Sequence, residues 1–519
     1  MIQYTISECQ KALKNGEVSS VQLVESTKAW FVSDKDKKIP LNGFLEVYED
    51  ALESAKKADE EFSAAKAKGA GELATLLEKK PLLGIPFAVK DNMSVKGEKL
   101  TCASKILQGY VAPYNATVVQ RLCDAGAIPV GRCNQDEFAM GSSTEYSAYG
   151  ATRNPVNREC VSGGSSGGSA AVVASNLVPF ALGTETGGSV RLPASYCGLY
   201  GLKPSYGILS RWGIVAFGSS LDQVGILAHS PKDIALPLGI MSGEDFYDDT
   251  SVENPSKEDL LQTAQKGLEA YTDTDFSKLK VAIPRQFLEA KGLDDDVAAV
   301  FQNVQDWLKA KGATIEIVDL PILDASIACY YVIALSEAAS NLSRFDGIRY
   351  GKRVDPEDGY DALYVATRSD GFGPEVKRRI VIGNYVLSEQ FSGNTYKKAM
   401  SVRARMQREV AALYKKYDIV VCPTCPTPAF KLGQKVDDPM AMYLSDIYTI
   451  FVNLSRTTSL SIPAGVTKDG LPVGIQFAGP MFGEKKLLSL AQAWDEAHPN
   501  CGIPLENEKS ILTSAKEGN

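Results

Sequence analysis

Short apolar runs alternate with longer amphipathic stretches along most of this chain. Seven runs of four or five residues have the length of buried strands, at 85–89, 127–131, 180–184, 281–284, 314–318, 418–422 and 473–477. Apolar residues recur at helical spacing between them, at 116–125, 295–311 and 396–416. Strands that alternate with helices predict an α/β fold whose sheet is mostly covered.

Two helix starts are visible near the beginning of the chain. Thr5 with Glu8, and Ser19 with Gln22, have the spacing of capping boxes, so two short helices are expected there. An Ala/Glu/Lys-rich stretch at 49–67 predicts an exposed helix.

The charged, glycine-containing stretch at 68–80 predicts a connection rather than a helix. No internal repeat or long linker interrupts the pattern. We therefore predict one domain over 1–505, with a helical segment at about 1–70 and a polar tail at 506–519.

The composition and charge narrow the functional class. Of 519 residues, 44% are hydrophobic and 23% are charged, as in globular proteins. Lys and Arg number 55 against 63 Asp and Glu, and the net charge of −8 argues against a nucleic-acid-binding surface. The first residues lack the pattern of a secretory signal, and no apolar run reaches the length of about 18 residues that a membrane span needs. Ten scattered cysteines fit a reduced, cytoplasmic compartment.

Only two histidines are present, His229 and His498. So few imidazoles argue against a metal site and disfavour a Ser-His-Asp triad. Both stand next to Pro or Ser-Pro, as at the ends of elements, and we expect neither to take part in catalysis. Cys422 and Cys425 form a lone CxxC pair, which favours two small thiols beside a strand over a metal or redox site.

Glycine and serine are concentrated between residues 162 and 201. A Gly/Ser run at 162–169 precedes an apolar, helix-like stretch at 170–178, and the strand at 180–184 leads into Thr-Gly-Gly-Ser-Val-Arg at 186–191. Gly-Gly-Ser at a strand end gathers backbone N–H groups that can hold an anion. The three interpretations are a phosphate nest, a flexible linker and an oxyanion hole beside a nucleophilic serine. The absence of GxxxxGK[ST] and GxGxxG runs counts against the first.

Lys90 is the candidate base for such a serine. A serine hydroxyl needs a base at neutral pH, and with two histidines lysine becomes the leading candidate. Lys90 directly follows the apolar run 85–89, so it is either a functional group or a surface residue whose stem lies along apolar side chains. A base must be neutral, so its pKa of about 10.4 must fall by roughly 3 units, which burial can supply.

Lys90, Ser165 and Ser189, in their Gly/Ser contexts, resemble the amidase signature family. The resemblance implies a large mixed, mostly parallel β-sheet with helices on both faces. It also implies a Ser–cis-Ser–Lys triad in which Ser189 is the nucleophile, Lys90 the base and Ser165 the bridge between them. The implied oxyanion hole is formed by the backbone N–H groups of Thr186, Gly187, Gly188 and Ser189.

Three further segments, at 136–145, 219–223 and 343–351, are similar to one group within that family, the glutamine-hydrolysing subunits of tRNA-dependent amidotransferases. This resemblance implies that the chain releases ammonia from glutamine for use within a heterotrimer whose other members are the B and C subunits. The B subunit would amidate Glu-tRNA(Gln) or Asp-tRNA(Asn) with ATP and Mg²⁺, so this chain would need no cofactor and would meet tRNA mainly through its partner. The alternatives are a stand-alone amidase for another small amide and a catalytically silent assembly subunit.

The same resemblance gives candidates for binding free glutamine. Arg379 would hold the α-carboxylate and Asp446 the α-ammonium, and Tyr330 would be a third contact, with Tyr331 as the alternative. A solvated surface position is the competing interpretation for each charged residue.

The chain departs from the family pattern at three places. Ser162 stands where proline is usual and His229 where arginine is more frequent, and 453–463 lacks the usual Gly-Leu-Pro after its Asn-Leu pair.

Overall fold

Both capping patterns begin helices in the computed structural model, which describes residues 4–255, 275–290, 292–356, 359–388, 394–499 and 501. Helix α1 (Ile6–Asn15) starts after Thr5, whose side chain accepts a hydrogen bond from the N–H of Glu8. Helix α2 (Ser20–Lys35) starts after Ser19 in the same way. The predicted polar tail at 506–519 lies outside the described residues.

All the described strands belong to one eleven-stranded sheet with the order β1-β3-β2-β4-β6-β5-β10-β11-β9-β7-β8. The strands are β1 (Phe44–Val47), β2 (Pro86–Lys90), β3 (Ile128–Cys133), β4 (Phe180–Glu185), β5 (Tyr200–Lys203), β6 (Gln223–Ala228), β7 (Lys280–Pro284), β8 (Thr314–Val318), β9 (Ile419–Pro423), β10 (Thr458–Val466) and β11 (Pro472–Gly479). Each of the seven predicted strands is present, with ends shifted by at most two residues. β1 lies within the N-terminal segment that was expected to be helical.

The sheet is mixed, as expected, but the expectation that it is mostly parallel is wrong. β2 pairs in parallel with β3 and β4, and β7 with β8 and β9, whereas the other six pairings of described strands are antiparallel. The antiparallel pairs include β10 with β11, which follow each other through a short connection. A hairpin connection of this kind cannot join parallel neighbours, which need a longer crossover.

Four described strands were not predicted, and two of them, β5 and β10, are not simple apolar runs. β5 contains Gly201 and Lys203, and β10 begins Thr-Ser-Leu-Ser. The buried hydroxyls of β10 are satisfied within the sheet, since Ser459 donates to Gln476 at 3.0 Å and Ser461 contacts Thr424 at 2.8 Å. Buried polar residues with hydrogen-bond partners can therefore occupy central strand positions.

Helices cover both faces of the sheet. After α1 and α2 the chain forms α3 (Asp50–Lys68), α4 (Ala70–Lys79), α5 (Thr117–Asp124), α6 (Gly167–Ala174), α7 (Arg191–Cys197), α8 (Pro231–Met241), α9 (Arg285–Leu288), α10 (Asp295–Ala310), α11 (Ser326–Asn341), α12 (Tyr360–Gly371), α13 (Pro374–Leu387), α14 (Asn394–Leu413), α15 (Pro439–Tyr443), α16 (Ile450–Ser455) and α17 (Glu484–Ala497). Successive side chains of a strand point alternately into two apolar clusters. In β7, Val281 and Ile283 belong to one cluster and Ala282 to the other. This alternation is the period of two that a sheet covered on both faces requires.

Two predictions for the N-terminal helices need correction. The stretch at 68–80 is not a connection but contains α4, whose Leu73 is buried against the core. α3 is not exposed on all sides, because it buries a row of small and aromatic residues, Ala51, Ala55, Ala58, Phe62 and Ala65. Alanine carries little hydrophobic signal, so the buried face of α3 is weak in the sequence.

One helical segment, Pro321–Arg344, is long and apolar enough to cross a membrane, but 61% of its apolar window is buried inside the protein. It contains α11, which packs against α13 and α14. Core helices of globular proteins pass the same test of length and composition, so the segment is weak evidence for a membrane span.

The close approach of α11 and α13 gives a test of the packing. A Cβ at Gly383 of α13 would lie 2.0 Å from the carbonyl oxygen of Leu335 in α11. We expect Gly383→Ala to lower the free energy of unfolding by about 1–3 kcal/mol, since the two helices must separate. The measurement is urea unfolding followed by circular dichroism.

Gly71 supplies the control, because a Cβ there meets no atom within 4 Å. Gly71→Ala should leave the free energy of unfolding unchanged or raise it by up to about 1 kcal/mol, through helix propensity. Equal stability of the two variants would contradict the helix contact.

Candidate active site

Lys90 is the last residue of β2, between β3 and β4 in the sheet, and its side chain is fully buried. Its ammonium nitrogen Nζ donates to Ser165 Oγ at 2.6 Å, to Ser166 Oγ at 2.9 Å and to the carbonyl of Thr184 at 3.2 Å. The structure therefore brings together Lys90 and Ser165 from two distant segments and excludes a surface position for the lysine.

Burial lowers the pKa of Lys90 to about 7, and this effect outweighs the nearby carboxylates Asp136 and Asp222, which act in the opposite direction. No carboxylate within the described ranges forms a salt bridge with the Lys90 ammonium. Since desolvation disfavours a buried cation, a substantial fraction of Lys90 is neutral near pH 7. The amine thereby has the proton affinity of a general base.

Ser165 lies in a turn that leads into α6, and the Gly164–Ser165 peptide bond is cis. The turn rests on Asp136, whose carboxylate accepts the N–H groups of Thr144 at 2.9 Å and Tyr146 at 3.2 Å. A Cβ at Gly164 would lie 2.1 Å from Asp136 Oδ2. Gly164 of the first Gly/Ser run therefore has no space for a side chain, because it packs directly on a buried carboxylate.

The second Gly/Ser run follows β4 and is folded back by Glu185, the last residue of that strand. Glu185 Oε2 accepts the N–H groups of Val190 at 3.1 Å and Arg191 at 3.2 Å. Its carboxylate also forms a fully buried ion pair with the Arg191 guanidinium. These bonds close a four-residue loop, 186–189, between the strand and α7.

The loop presents unused hydrogen-bond donors. Within the described part of the chain, no protein acceptor receives the backbone N–H groups of Thr186, Gly187, Gly188 and Ser189. All except Ser189 are buried residues. Buried N–H groups are normally paired, so four unpaired donors in one loop indicate a place for an anion. The predicted oxyanion hole uses these same four groups.

The two glycines of the loop have no space for a side chain. A Cβ at Gly187 would lie 2.7 Å from the Tyr330 hydroxyl oxygen, and a Cβ at Gly188 would lie 2.8 Å from Asp446 Oδ1. Thr449 Oγ1 holds the same loop by donating to the Gly187 carbonyl at 2.6 Å. The structure therefore brings Tyr330 and Asp446 to the loop.

Ser189 lies at the end of this loop and is partly exposed, in contrast to its buried neighbours. Its carbonyl accepts the N–H of Ser166 at 3.1 Å, which joins the two Gly/Ser runs. Among the described residues the Ser189 hydroxyl has no hydrogen-bond partner, so the implied Ser165–Ser189 bridge is not formed as a direct hydrogen bond. Hydrogen bonds between catalytic groups commonly tighten when substrate binds.

Arg379 lies on the inner face of α13 and is only 3% exposed, which excludes the solvated surface position. Its Nε donates to Glu375 Oε1 at 2.8 Å, four residues earlier in the helix. Its guanidinium carbon lies 5.9 Å from the ring centre of Tyr331 and 5.5 Å from that of Tyr443. No acceptor among the described residues bonds its two terminal nitrogens, so this fork is available for a carboxylate.

Asp446 is buried beside the same loop and accepts a hydrogen bond from Ser142 Oγ at 2.6 Å. Burial raises the pKa of Asp446 to about 7, and the Ser142 hydroxyl and the charge of Arg379 oppose that rise. An ammonium group beside Asp446 would lower its pKa and stabilise the ionised form. Tyr331 stacks on Tyr443 at 3.9 Å between ring centres.

Sequence reasoning missed four residues that support the predicted ones. Ser166 contacts Lys90, Glu375 pairs with Arg379, Ser142 holds Asp446, and Thr449 fixes the glycine loop. Ser166 lies next to Ser165 and Ser142 lies within the segment 136–145, so both had a sequence signal. Glu375 lies four residues before Arg379 on the same helix, a local spacing that favours an ion pair. Thr449 depends on a tertiary contact that no local pattern encodes.

Among the described residues, neither histidine and neither cysteine of the CxxC pair is hydrogen-bonded to Lys90, Ser165 or Ser189. His229 Nε2 donates to the Val173 carbonyl at 2.7 Å, and burial lowers the pKa of His229 to about 4. His498 stacks on Trp494. Cys422 and Cys425 are buried, and burial raises the pKa of Cys422 to about 12, which keeps it a thiol.

The departure at 453–463 falls on the turn between α16 and β10. Arg456 ends α16 with φ at 64°, a left-handed conformation that favours glycine. Its guanidinium carbon lies 4.9 Å from the ring centre of Tyr206. Asn453 accepts a hydrogen bond from Arg191 at 2.8 Å, so the segment still supports the ion pair behind the 186–189 loop.

The chain is similar to known proteins over nearly its whole length. A family model described as Amidase matches residues 36–488. The A subunit of glutamyl-tRNA(Gln) amidotransferase from Treponema denticola is 56% identical over 492 residues, which cover 95% of this chain and 98% of that protein. The crystal structure of the A subunit of glutamyl-tRNA(Gln) amidotransferase from Thermotoga maritima superposes with a TM-score of 0.76 at 35% identity, covering 98% of this chain and 99% of that one. Peptide amidase from Stenotrophomonas maltophilia superposes with a TM-score of 0.77 at 27% identity, covering 95% and 96%.

The pKa of Lys90 gives a test of its role. Because a lysine is neutral only above its pKa, kcat/KM for a simple amide such as propionamide should fall as the pH drops below about 7. Lys90→Arg should lose at least about 1,000-fold at every pH, since arginine does not release its proton. The measurement is a pH profile from about 5.5 to 9, which spans the titration of the amine.

Lys203 is the matched control, because it is also fully buried and burial lowers its pKa to about 7. In Lys203→Met, kcat/KM should still fall below about pH 7 as in the parent, and this fall is the acid limb of the pH profile. Near-normal activity of Lys90→Arg, or loss of the limb in Lys203→Met, would contradict the assignment of the base.

Proposed function

Since this chain belongs to the amidase family, we propose that it hydrolyses the side-chain amide of glutamine as one subunit of a tRNA-dependent amidotransferase. The observation that carries the amide chemistry is the buried lysine, bonded to a serine hydroxyl, beside a loop of unpaired N–H groups. The glutamine specificity rests on a buried aspartate at the same loop and on a buried arginine whose charge acts on that aspartate.

Catalysis begins at the Ser189 hydroxyl. As the oxygen attacks the carboxamide carbon, its proton passes to Ser165 and the proton of Ser165 passes to neutral Lys90, which lies 2.6 Å away. The carbonyl π bond opens and its electron pair becomes an oxyanion, for which the N–H groups of loop 186–189 are the donors. When the tetrahedral intermediate collapses, the proton returns through Ser165 to the amide nitrogen, and ammonia leaves.

The acyl-enzyme is then hydrolysed by the reverse exchange. Water attacks the ester carbon, gives its proton to Ser165 and Lys90, and releases glutamate while Ser189 recovers its hydrogen. Lys90 acts as a base in one step and as an acid in the next, so a pKa of about 7 suits both roles at neutral pH.

Recognition of glutamine requires opposite charges at one end of the pocket. The fork of Arg379 matches an α-carboxylate, and Asp446 offers its carboxylate to the α-ammonium. Tyr330 lies over Gly187, at the junction between the amino-acid end and the reacting amide. Tyr331 contacts Arg379 instead, which favours Tyr330 as the direct contact.

We further propose that the ammonia is used by a partner protein. The relatives are named as the A subunit of an amidotransferase, and the B and C subunits would complete a heterotrimer. The B subunit would bind ATP and Mg²⁺ and amidate Glu-tRNA(Gln) or Asp-tRNA(Asn) in the cytoplasm. The net charge of −8 on this chain is consistent with tRNA contacts made mainly by the partner.

Separation of the two reactions can be tested at Ser189. In the complex assembled with its partner subunits, Ser189→Ala should abolish glutamine-dependent amidation, because no acyl-enzyme forms. Amidation with added ammonium should continue, because it bypasses this site. The measurements are glutamate release and tRNA amidation, and a glutaminase rate above a few per cent of the parent would show that Ser189 is not the nucleophile.

The glutamine contacts can be tested at Arg379 and Asp446. Loss of one partner of a desolvated charge pair costs about 2–5 kcal/mol, so Arg379→Ala and Asp446→Ala should each raise KM for glutamine roughly 30-fold or more. Hydrolysis of propionamide, which lacks both charges, should change little.

Arg378 is the matched control for Arg379, because it pairs with the same Glu375 but its side chain is 42% exposed. Arg378→Ala should leave KM for glutamine within about twofold. If the Arg379 and Asp446 variants hydrolyse glutamine and propionamide with equal losses of activity, these residues do not bind the amino-acid end. A stand-alone amidase is then favoured.

A further inference from the structure

Asp222 lies directly across the sheet from the first residue of the 186–189 loop. The antiparallel register of β4 and β6 ends with Glu185 opposite Gln223, and the next opposed positions are Thr186 and Asp222. At this point the two strands are joined by side chains instead of backbone, since Thr186 Oγ1 donates to Asp222 Oδ1 at 2.6 Å.

The carboxylate of Asp222 is itself held rigidly by its own turn. Its second oxygen, Oδ2, accepts the N–H groups of Phe217 at 2.8 Å and Gly218 at 2.9 Å. The N–H of Asp222 returns to the Gly218 carbonyl at 2.8 Å. The residue is only 6% exposed, so water competes little for these bonds.

The turn that contains Asp222 is anchored to the helical layer. The N–H of Ser220 donates to Glu337 Oε2 of α11 at 2.9 Å. Arg403 of α14 donates to the Ser220 hydroxyl at 2.6 Å and to its carbonyl at 2.7 Å. Two helices therefore fix the turn that holds the carboxylate.

Thr186 is held on a second side by the same turn. A Cβ at Gly218 would lie 3.3 Å from the Thr186 methyl carbon, so the turn packs against the methyl group while Asp222 binds the hydroxyl. Both rotatable substituents of the Thr186 side chain are thereby constrained. The backbone of Thr186, whose N–H opens the oxyanion loop, has little freedom left.

We propose that Asp222 is a positioning residue for amide hydrolysis, which fixes Thr186 so that the loop donors stay aimed at the oxyanion. Donors that are held in place before the reaction stabilise the transition state without reorganisation. The charge of Asp222 also acts on Lys90, whose pKa it raises. The positioning role of Asp222 is therefore measured at a pH where Lys90 is neutral.

The inference rests on the proposed function only in its choice of glutamine, because every carboxamide forms the same oxyanion. The experiment uses the assembled complex and both glutamine and propionamide at a pH of about 8.5, where Lys90 is mostly neutral in all variants. The variants are Asp222→Asn, Thr186→Val, their combination, and Thr186→Ser, which keeps the hydroxyl.

Asp222→Asn and Thr186→Val should each lower kcat by about 10- to 100-fold for both amides, with KM for glutamine within about threefold. The double variant should be no slower than the slower single variant, because both changes remove the same constraint. Thr186→Ser should stay within about threefold of the parent. Ammonium-dependent amidation should persist in every variant.

Asp233→Asn is the control, since Asp233 is an equally buried carboxylate that holds the N–H of Ile6 at 2.9 Å, away from the site. It should leave kcat unchanged. Three results would overturn the proposal. The fold decreases in kcat of the two single variants could multiply in the double variant, or the single variants could change KM and not kcat. The third is a Thr186→Ser variant that is as slow as Thr186→Val. If Asp222→Asn fails to fold, the contrast between Thr186→Val and Thr186→Ser still decides it.

Propionamide separates this inference from the proposed function. A parent complex that hydrolyses propionamide but not glutamine would refute the glutaminase, while the kcat comparison for propionamide would still test Asp222.

Discussion

The burial of the Lys90 amine without a paired carboxylate is the constraint on which the catalytic half of the molecule depends. The sheet shields the amine from water, and two serine hydroxyls and a carbonyl accept hydrogen bonds from it. Hydroxyls can accept from an ammonium and donate to a neutral amine, so they tolerate both charge states, whereas a carboxylate would hold the proton permanently. The Gly/Ser turn that carries Ser165 brings hydroxyls, and no charges, to this amine.

In contrast to the uncharged partners of Lys90, a buried ion pair holds the 186–189 loop in place. Glu185 and Arg191 form a fully buried ion pair, and Arg191 is further bonded to Gln476, Asn453 and the Thr449 carbonyl. A buried ion pair offsets its desolvation only when its remaining hydrogen bonds are satisfied, as they are here. Charge is thus kept where a fixed shape is needed and avoided where a proton must move.

The sequence predicted the candidate catalytic centre better than its surroundings. The strand-end lysine Lys90 and the two Gly/Ser runs were local signals, and the resemblance to the amidase family singled out Ser165 and Ser189. The segments that carry Lys90 and Ser165 meet in the structure. Thr449 was not predicted, because its role comes from a contact with a residue that is distant in the chain. Glu375 was missed although its four-residue spacing to Arg379 is a local signal. The sheet shows the same division: runs such as 314–318 were found, whereas β5 and β10, whose glycine, lysine and serine residues depend on neighbouring strands, were not. The expectation of a mostly parallel sheet failed because strand direction is set by how connections fold in space.

The chain order of the site has an evolutionary consequence. Lys90, Ser165, Ser189 and Asp222 all precede the residues proposed to hold the amino-acid end, which come from α11, α13 and the turn at Asp446. Tyr330, Asp446 and Thr449 of the later segments lie against the glycine loop. Substitutions in the later segments that leave Thr449 in place can therefore alter which amide is admitted, while Lys90, Ser165 and Ser189 keep their arrangement. A descendant with a new substrate preference could arise from this scaffold by changes confined to the second half of its sequence.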